Sequence, residues 1–164
     1  MVAILAHALA LPQNKHFGGH IDPGQAVLLA LYHDATEILT GDLPTPIKYY
    51  NPALRASYKE VEETAANRLL ELLPEELRGD YAPYLLHPDP ELEAVVKAAD
   101  KLDAYLKCVK ERKAGNGEFQ TAQVQIWDAL QANPLPALGY FIQHYLPSFE
   151  LTLDQLNGST HTMF

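Results

Sequence analysis

The chain has 164 residues, of which 48% are hydrophobic and 20% are charged. This length suits one domain with one core, and this composition is typical of a folded globular protein rather than a disordered one. The net charge of −9, without a run of Lys and Arg, argues against polymeric nucleic acid as a partner. No stretch approaches the roughly 20 apolar residues of a membrane span, and the lone Cys108 suits a reducing cytoplasm.

The predicted secondary structure is helical throughout. Three helices are predicted to begin with a capping side chain followed by proline, which pairs exposed backbone N–H groups and presets the first turn. The apolar periodicity after each cap predicts helices over 22–41, 51–74 and 89–115. Further helices are predicted at 1–11, 118–132 and 135–145, with a short turn at 74–79. No segment alternates with a period of two residues, so the sequence predicts an all-α, compact helical bundle.

The first group of ionisable residues lies in the otherwise apolar segment AVLLALYHDATEIL. On one continuous helix, His33 and Glu37 are four residues apart and Asp34 is three residues before Glu37, so the three share a face. Burying such groups without partners is costly, and a divalent cation would offset that cost. The simpler alternative is that His33 and Asp34 cap and hydrogen-bond a helix end.

A second polar group interrupts the apolar helix VVKAADKLDAYL. Here Val96, Asp100, Asp103 and Lys107 form a line beside the apolar stripe. Metal sites in the cores of helical bundles are built from carboxylates that two facing helices present from otherwise apolar segments. The spacing alone does not distinguish a metal site from ordinary polar positions on a helix surface.

Longer motifs identify a family. The segment YHDATEILTGDLPTPIKYYN, together with VKAADKLDAYLKC and the closing YLPSFELTLDQL, resembles the HD-domain 5′-deoxynucleotidases, in order from about Val2 to Leu156. The string TGDLPTP at a fixed distance after HDATE is specific within the HD superfamily. The resemblance implies a single HD domain over 1–164, with 157–164 as a tail, that hydrolyses deoxynucleoside monophosphates.

The resemblance also implies the roles of individual residues. The metal ligands correspond to His33, Asp34 and Asp100, and the carboxylates needed for catalysis correspond to Glu37 and Asp42. The substrate-binding residues implied are Asp34, Asp42, Leu43, Pro44, Thr45 and Asp100. The implied cofactor is a divalent ion such as Co²⁺ or Mn²⁺, and the implied assembly is a cytoplasmic homodimer with no membrane partner.

Several roles stay open at this stage. A metal can lower the pKa of bound water toward about 7 and hold phosphate oxygens. Glu37 is then expected to orient that water or relay its proton, and Asp42 to act as general acid for the leaving oxygen, although sequence does not divide these roles. Thr45 offers a hydroxyl to the substrate. Lys48 either balances the phosphate charge or is a plain surface lysine.

One part of the family pattern is missing. Its first ligand histidine, with an arginine and a tryptophan that contact phosphate and sugar, belongs to a segment that would precede Met1. His7 matches a different histidine of the family, and His16 and His20 are expected in a solvated loop. We therefore expect impaired turnover. The alternatives are a shortened HD module that binds metal or nucleotide with little turnover, and another HD phosphohydrolase specificity.

The aromatic residues near the C-terminus have a structural interpretation. Trp127, Tyr140, Phe141 and Tyr145 fall at helical spacings, which favours core or interface positions over a surface that stacks on a base. The PSFEL segment carries no catalytic chemistry. Its apolar side chains are expected to pack either against the bundle or against a second subunit.

Overall fold

The structure, a computed structural model, describes residues 1–42 and 51–156. These residues form helices and contain no strand, which confirms the predicted all-α class for the part of the chain described. The helices are α1 Val2–His16, α2 Pro23–Tyr32, α3 Glu37–Thr40, α4 Pro52–Glu71, α5 Glu75–Leu85, α6 Pro90–Lys113, α7 Gln120–Gln131, α8 Pro136–His144, the 3₁₀ helix η1 Leu146–Glu150, and α9 Leu153–Leu156. No helix among the described residues is both long and apolar enough to span a membrane.

The core lies between α1 and α6, the two helices with most of the buried side chains. Helix α1 packs on α2, α6 and α8, and α6 packs in turn on α2 and α7. Leu9 of α1 and Leu102 of α6 are fully buried, as are small residues such as Ala6 and Ala99. Burying a leucine side chain stabilises the fold by about 1.5–3 kcal/mol, and alanines let the two helix axes approach closely.

The three predicted capping residues are confirmed. The carboxylate of Asp22 accepts hydrogen bonds from the N–H groups of Gly24 and Gln25 at 2.7 and 3.1 Å. Asn51 caps α4 and Asp89 caps α6 in the same way. Each cap satisfies backbone donors that have no partner within the helix, so the starts of α2, α4 and α6 are determined by local sequence.

The predicted continuous helix over 22–41 is wrong. Helix α2 ends at Tyr32, residues 33–36 form a turn, and α3 begins at Glu37. In this turn the N–H groups of Ala35 and Glu37 donate to carbonyls three residues back rather than four. His33 contributes to the break because its ring bonds the Ala30 carbonyl, which an uninterrupted helix would offer to the N–H of residue 34. His33 and Glu37 therefore do not share one helix face as predicted.

The region predicted as a short turn at 74–79 is also different. It is the start of α5, which runs for 11 residues from Glu75 and packs against α4 and α2. Tyr84 of α5 donates a hydrogen bond to the Gln25 side chain at 2.7 Å and stacks on Tyr32 with ring centroids 5.9 Å apart. Tyr32 directly precedes His33, so α5 braces the end of α2 that carries the polar turn.

His16 was expected in a loop but is the last residue of α1. Its ring stacks on Tyr140 of α8 with a centroid separation of 5.0 Å. Helix α1 extends beyond the predicted end, where the Asn14 side chain bonds both the N–H and the carbonyl of Ile21 and the Gln13 side chain accepts from the N–H of Ala137. His20 lies in the connection between α1 and α2, as predicted.

The PSFEL segment forms η1 and packs against the bundle, which is the first of its two predicted alternatives. It contacts α8 and α6. Arg112 pairs with Glu150 at 2.6 Å, and the Lys113 ammonium donates to the carbonyls of Phe149 and Leu151. The charged C-terminal end of α6 therefore holds η1 in place.

Candidate metal centre

His33 is the central residue of the candidate site. Its Nδ1 lies 2.8 Å from the carbonyl oxygen of Ala30, one turn earlier in α2. A carbonyl accepts and does not donate, so Nδ1 carries the proton and, in the neutral ring, Nε2 carries the lone pair. Nε2 is buried and has no hydrogen-bond partner among the described residues. The fold therefore fixes the tautomer of the ring and holds Nε2 in a buried position.

Two carboxylates lie beside that atom. Nε2 is 3.0 Å from an Asp34 oxygen and 3.7 Å from an Asp100 oxygen. Asp34 follows His33 in the turn, whereas Asp100 comes from the middle of α6, which packs on α2. The His33 side chain is 21% exposed and each aspartate side chain is 58% exposed. The site is therefore closed on the imidazole side and open on the carboxylate side.

The electrostatics of this group favour a positive charge at its centre. The pKa of His33 is raised, chiefly by the Asp100 carboxylate with help from Asp34, and burial opposes the rise. The pKa of Asp100 is lowered, chiefly by His33, again against a smaller effect of burial. Either a proton on Nε2 or a divalent cation can supply the positive charge that these carboxylates favour. A divalent cation would replace that proton, since it needs the same lone pair.

The opposite pKa shifts predict a pH window for stability in the metal-free protein. His33 stabilises the fold fully below its ordinary pKa of 6.5, and this contribution is lost as pH rises through its raised folded-state pKa. Asp100 stabilises fully above its ordinary pKa of 3.8, and this contribution is lost as pH falls through its lowered value. The pair should therefore contribute most between these two values, by less than about 1 kcal/mol because Asp100 is more than half exposed.

The measurement is thermal unfolding in chelator, comparing the wild type with Asp100→Asn between about pH 4 and pH 9. The difference in Tm should be largest near pH 5 and should shrink toward pH 9. The exposed Asp80→Asn variant is the control. An equal difference for Asp100→Asn at every pH would show that the ion pair does not contribute.

The donor types at this site fit a divalent cation. Imidazole nitrogen and carboxylate oxygen are both accepted by first-row transition metals, and a metal-binding histidine usually donates its other ring N–H to a carbonyl or carboxylate. The bond from Nδ1 to Ala30 has that arrangement. Within residues 1–42 and 51–156, no group of three or more His, Cys, Asp or Glu side chains is arranged so that it could hold a metal ion. The fit rests on the buried Nε2 and its two carboxylate neighbours.

The two carboxylates predicted to act in catalysis lie downstream of the turn. Glu37 is the first residue of α3 and is partly buried, and Asp42 is exposed directly after the helix ends. Between them, Gly41 has φ 70° and ψ 161°, a conformation that is essentially restricted to glycine. Its carbonyl accepts a hydrogen bond from the Tyr58 hydroxyl of α4 at 3.1 Å. Gly41 therefore sets the direction in which the chain leaves α3, and the hydrogen bond from Tyr58 fixes the Gly41 backbone next to Asp42.

Four predicted residues lie outside the described part of the chain. They are Leu43, Pro44, Thr45 and Lys48. Of the other histidines, His7 is exposed beside Ala3, Ile4 and Val27 in a shallow surface depression.

Sequence reasoning missed two features of the site. The first is the Ala30 carbonyl that orients His33, which no side-chain pattern reveals. The second is the burial of Asp103 on α6 and its ion pair with Lys107 at 3.0 Å. The spacing of four residues between these two was the available signal, but it is common on exposed helices and does not show burial.

Comparison with known proteins identifies the family. The sequence profile of the YfbR-like 5′-deoxynucleotidases matches residues 1–149. The chain belongs to the YfbR-like 5′-deoxynucleotidase family. A 5′-deoxynucleotidase of Vibrio cholerae is 50% identical over 158 residues, which cover 95% of this chain and 81% of that protein. The 5′-deoxynucleotidase of Shewanella oneidensis is 48% identical over the same share of each chain.

The fold of this family member agrees with a solved structure. An HD-domain phosphohydrolase from Listeria innocua superposes with a TM-score of 0.74 at 22% identity, covering 90% of this chain and 72% of that one. This likeness confirms the predicted helical bundle of the HD-domain type. The family profile and the relatives at about 50% identity confirm the predicted membership of the 5′-deoxynucleotidase family.

Proposed function

We propose that this chain is a metal-dependent phosphohydrolase that removes the 5′-phosphate from deoxynucleoside monophosphates. The observation that carries the proposal is the environment of the His33 ring nitrogen Nε2. In a member of the YfbR-like family, its buried Nε2 has no hydrogen-bond partner among the described residues and lies beside two carboxylates from different elements. A ring nitrogen held in this way, beside two carboxylates, suits a divalent cation.

In this proposal His33, Asp34 and Asp100 hold the cation. A bound divalent ion would lower the pKa of water and neutralise phosphate charge. The bond to the Ala30 carbonyl restrains the His33 ring, and the packing of α6 on α2 locates the backbone of Asp100. These restraints support the proposal, because donors that are held before a cation binds reduce the entropic cost of binding it.

Glu37 and Asp42 handle protons in the same proposal. Glu37 lies three residues after Asp34 and is partly buried, so it is suited to orient water and accept its proton. Asp42 is exposed at the start of the 42–45 segment, where it can donate a proton to the leaving 5′-oxygen. We assign Asp34, Asp42 and Asp100 to substrate binding as well, together with Leu43, Pro44 and Thr45, which lie outside the described residues.

The proposal also includes the identity of the metal, the cellular location, the assembly and the extent of the domain. The native ion is cobalt, manganese or a similar divalent metal, since mixed nitrogen and oxygen donors accept several of these. The active protein is a cytoplasmic homodimer in which residues 1–164 form one HD domain. Light scattering of the purified protein checks the dimer, and metal analysis of protein purified without added ions checks the cation.

The experiment for the proposed function is a phosphate-release assay with a deoxynucleoside 5′-monophosphate, its ribose counterpart and its 3′-phosphate isomer. Cleavage of a cyclic dinucleotide, which releases no free phosphate, is followed in parallel by chromatography. Turnover should require divalent metal, stop in chelator, return when metal is restored and be fastest with the deoxy 5′-phosphate. Binding without turnover would instead support a metal- or nucleotide-binding module. Faster cleavage of the cyclic dinucleotide would support another HD phosphohydrolase specificity.

A further inference from the structure

Asp103 is an unusual residue for its position. Among the residues that the structure describes, it is the one buried charged side chain, with 3% of its surface exposed. Its Oδ1 is buried without a hydrogen-bond partner in that part of the chain. Burying a carboxylate carries a considerable desolvation cost, and an unpaired oxygen adds to it. A surface ion pair does not require this arrangement, because an exposed aspartate forms one at little cost.

The other oxygen of Asp103 holds Lys107. The ammonium of Lys107 lies 3.0 Å from Asp103 Oδ2, one helical turn further along α6, while 73% of its side chain stays exposed. Helical side chains lean toward the N-terminus of their helix, so Lys107 leans toward Asp103 and Asp100. The ammonium of Lys107 is therefore held on one side by a buried carboxylate, and its remaining N–H donors are available to a ligand.

Lys107 is on the same side of α6 as the candidate metal centre. Seven residues separate it from Asp100, close to two full turns, so the two side chains emerge from nearly the same face. The charge of its ammonium interacts with both Asp100 and Asp34. Lys101 also interacts with Asp100, but it follows Asp100 directly and is rotated by about 100° around the helix.

An anionic substrate needs such a cation here. The chain carries a net charge of −9, and the site itself contributes the carboxylates of Asp34 and Asp100 with Glu37 close in sequence. A bound divalent ion offsets only part of this negative charge. A phosphate dianion approaching the open side of the site would otherwise be repelled, and local cations reverse that repulsion over a short range.

We propose that Lys107 is a substrate-binding residue that contacts the phosphate group, and that Asp103 is a positioning residue that holds the lysine ammonium toward the metal centre. This inference rests on the proposed function for the identity of the substrate. The anion it recognises is a phosphate monoester, and inorganic phosphate shares the chemistry.

The test compares the wild type with Lys107→Ala, Lys107→Arg and Asp103→Asn, with Lys101→Ala as the matched control on the same helix. Calorimetry measures the Kd of inorganic phosphate and of a deoxynucleoside without phosphate, and kinetics measures KM and kcat for the deoxynucleoside monophosphate. Lys107→Ala should raise the phosphate Kd and the KM by about tenfold, the usual effect of one charge-assisted hydrogen bond. Binding of the deoxynucleoside should not change.

The variants separate binding from stability. Lys107→Arg should restore the phosphate Kd to within about threefold of the wild type, because it keeps the charge. Asp103→Asn should raise the phosphate Kd by an intermediate factor. If this variant does not fold, the two Lys107 variants still decide whether Lys107 contacts phosphate. Lys101→Ala should leave the Kd within about twofold. Metal content, measured in parallel, should be equal in all variants.

The outcomes distinguish this inference from the proposed function. An unchanged phosphate Kd in Lys107→Ala, or an equal loss in Lys101→Ala, would overturn the inference even if the wild type were fully active. A wild type that binds no phosphate would overturn it as well. A wild type that releases no phosphate from any monophosphate, yet binds phosphate in a Lys107-dependent way, would overturn the proposed function and support the anion site.

Discussion

Replacing His33 or Asp100 by alanine should abolish the retention of divalent metal and reduce phosphate release by about a thousandfold or more. His33 supplies the nitrogen donor of the described site, and its Nε2 faces both carboxylates at 3.0 and 3.7 Å. Asp100 is the donor that α6 brings to the end of α2. Removing either residue leaves more coordination positions of the ion to water and lowers the affinity of the site for the ion.

Elemental analysis after dialysis measures the retained metal, and the phosphate-release assay measures turnover on the same samples. Two exposed residues of the same types serve as controls: His20→Ala and Asp80→Ala should keep both metal and activity. Circular dichroism verifies that each variant is helical. Full metal occupancy in both His33→Ala and Asp100→Ala would remove these residues from the proposed ligand set.

Replacing Glu37 by glutamine or Asp42 by asparagine should leave the metal in place and lower kcat by about 100- to 10,000-fold, the usual contribution of a general acid or base. These amides keep the shape of the carboxylates and remove their ability to take up or supply a proton. Glu37 begins α3 and Asp42 follows Gly41, so both lie within ten residues of the proposed ligand His33.

The pH dependence of kcat divides the two roles. Loss of the acidic limb of the profile in Glu37→Gln would identify the general base, and loss of the basic limb in Asp42→Asn would identify the general acid. The exposed Glu60→Gln variant of α4 is the control and should behave as the wild type. Near-normal kcat in Glu37→Gln or Asp42→Asn would withdraw the catalytic role of that residue.

Local sequence determined the helix starts and the family. The side chains of Asp22, Asn51 and Asp89 accept hydrogen bonds from backbone N–H groups two or three residues later. Their capping role can therefore be predicted without any knowledge of the fold. The family could be predicted in the same way, because the motif around His33 and the segment around Asp100 both lie within residues 1–149, which the YfbR-like profile matches.

Only the tertiary structure decided how the polar residues are arranged. The continuous helix predicted through His33 and Glu37 gave way to a turn, in which the His33 ring bonds the Ala30 carbonyl while Tyr84 packs from α5 on the preceding Tyr32. A periodic pattern reports which residues share a face on an unbroken helix, and it cannot report a break that contacts from a distant helix support. The burial of Asp103 has the same origin. An aspartate four residues before a lysine has the same local sequence whether its helix lies at the surface or, like α6, in the middle of the bundle, because burial depends on what the other helices cover.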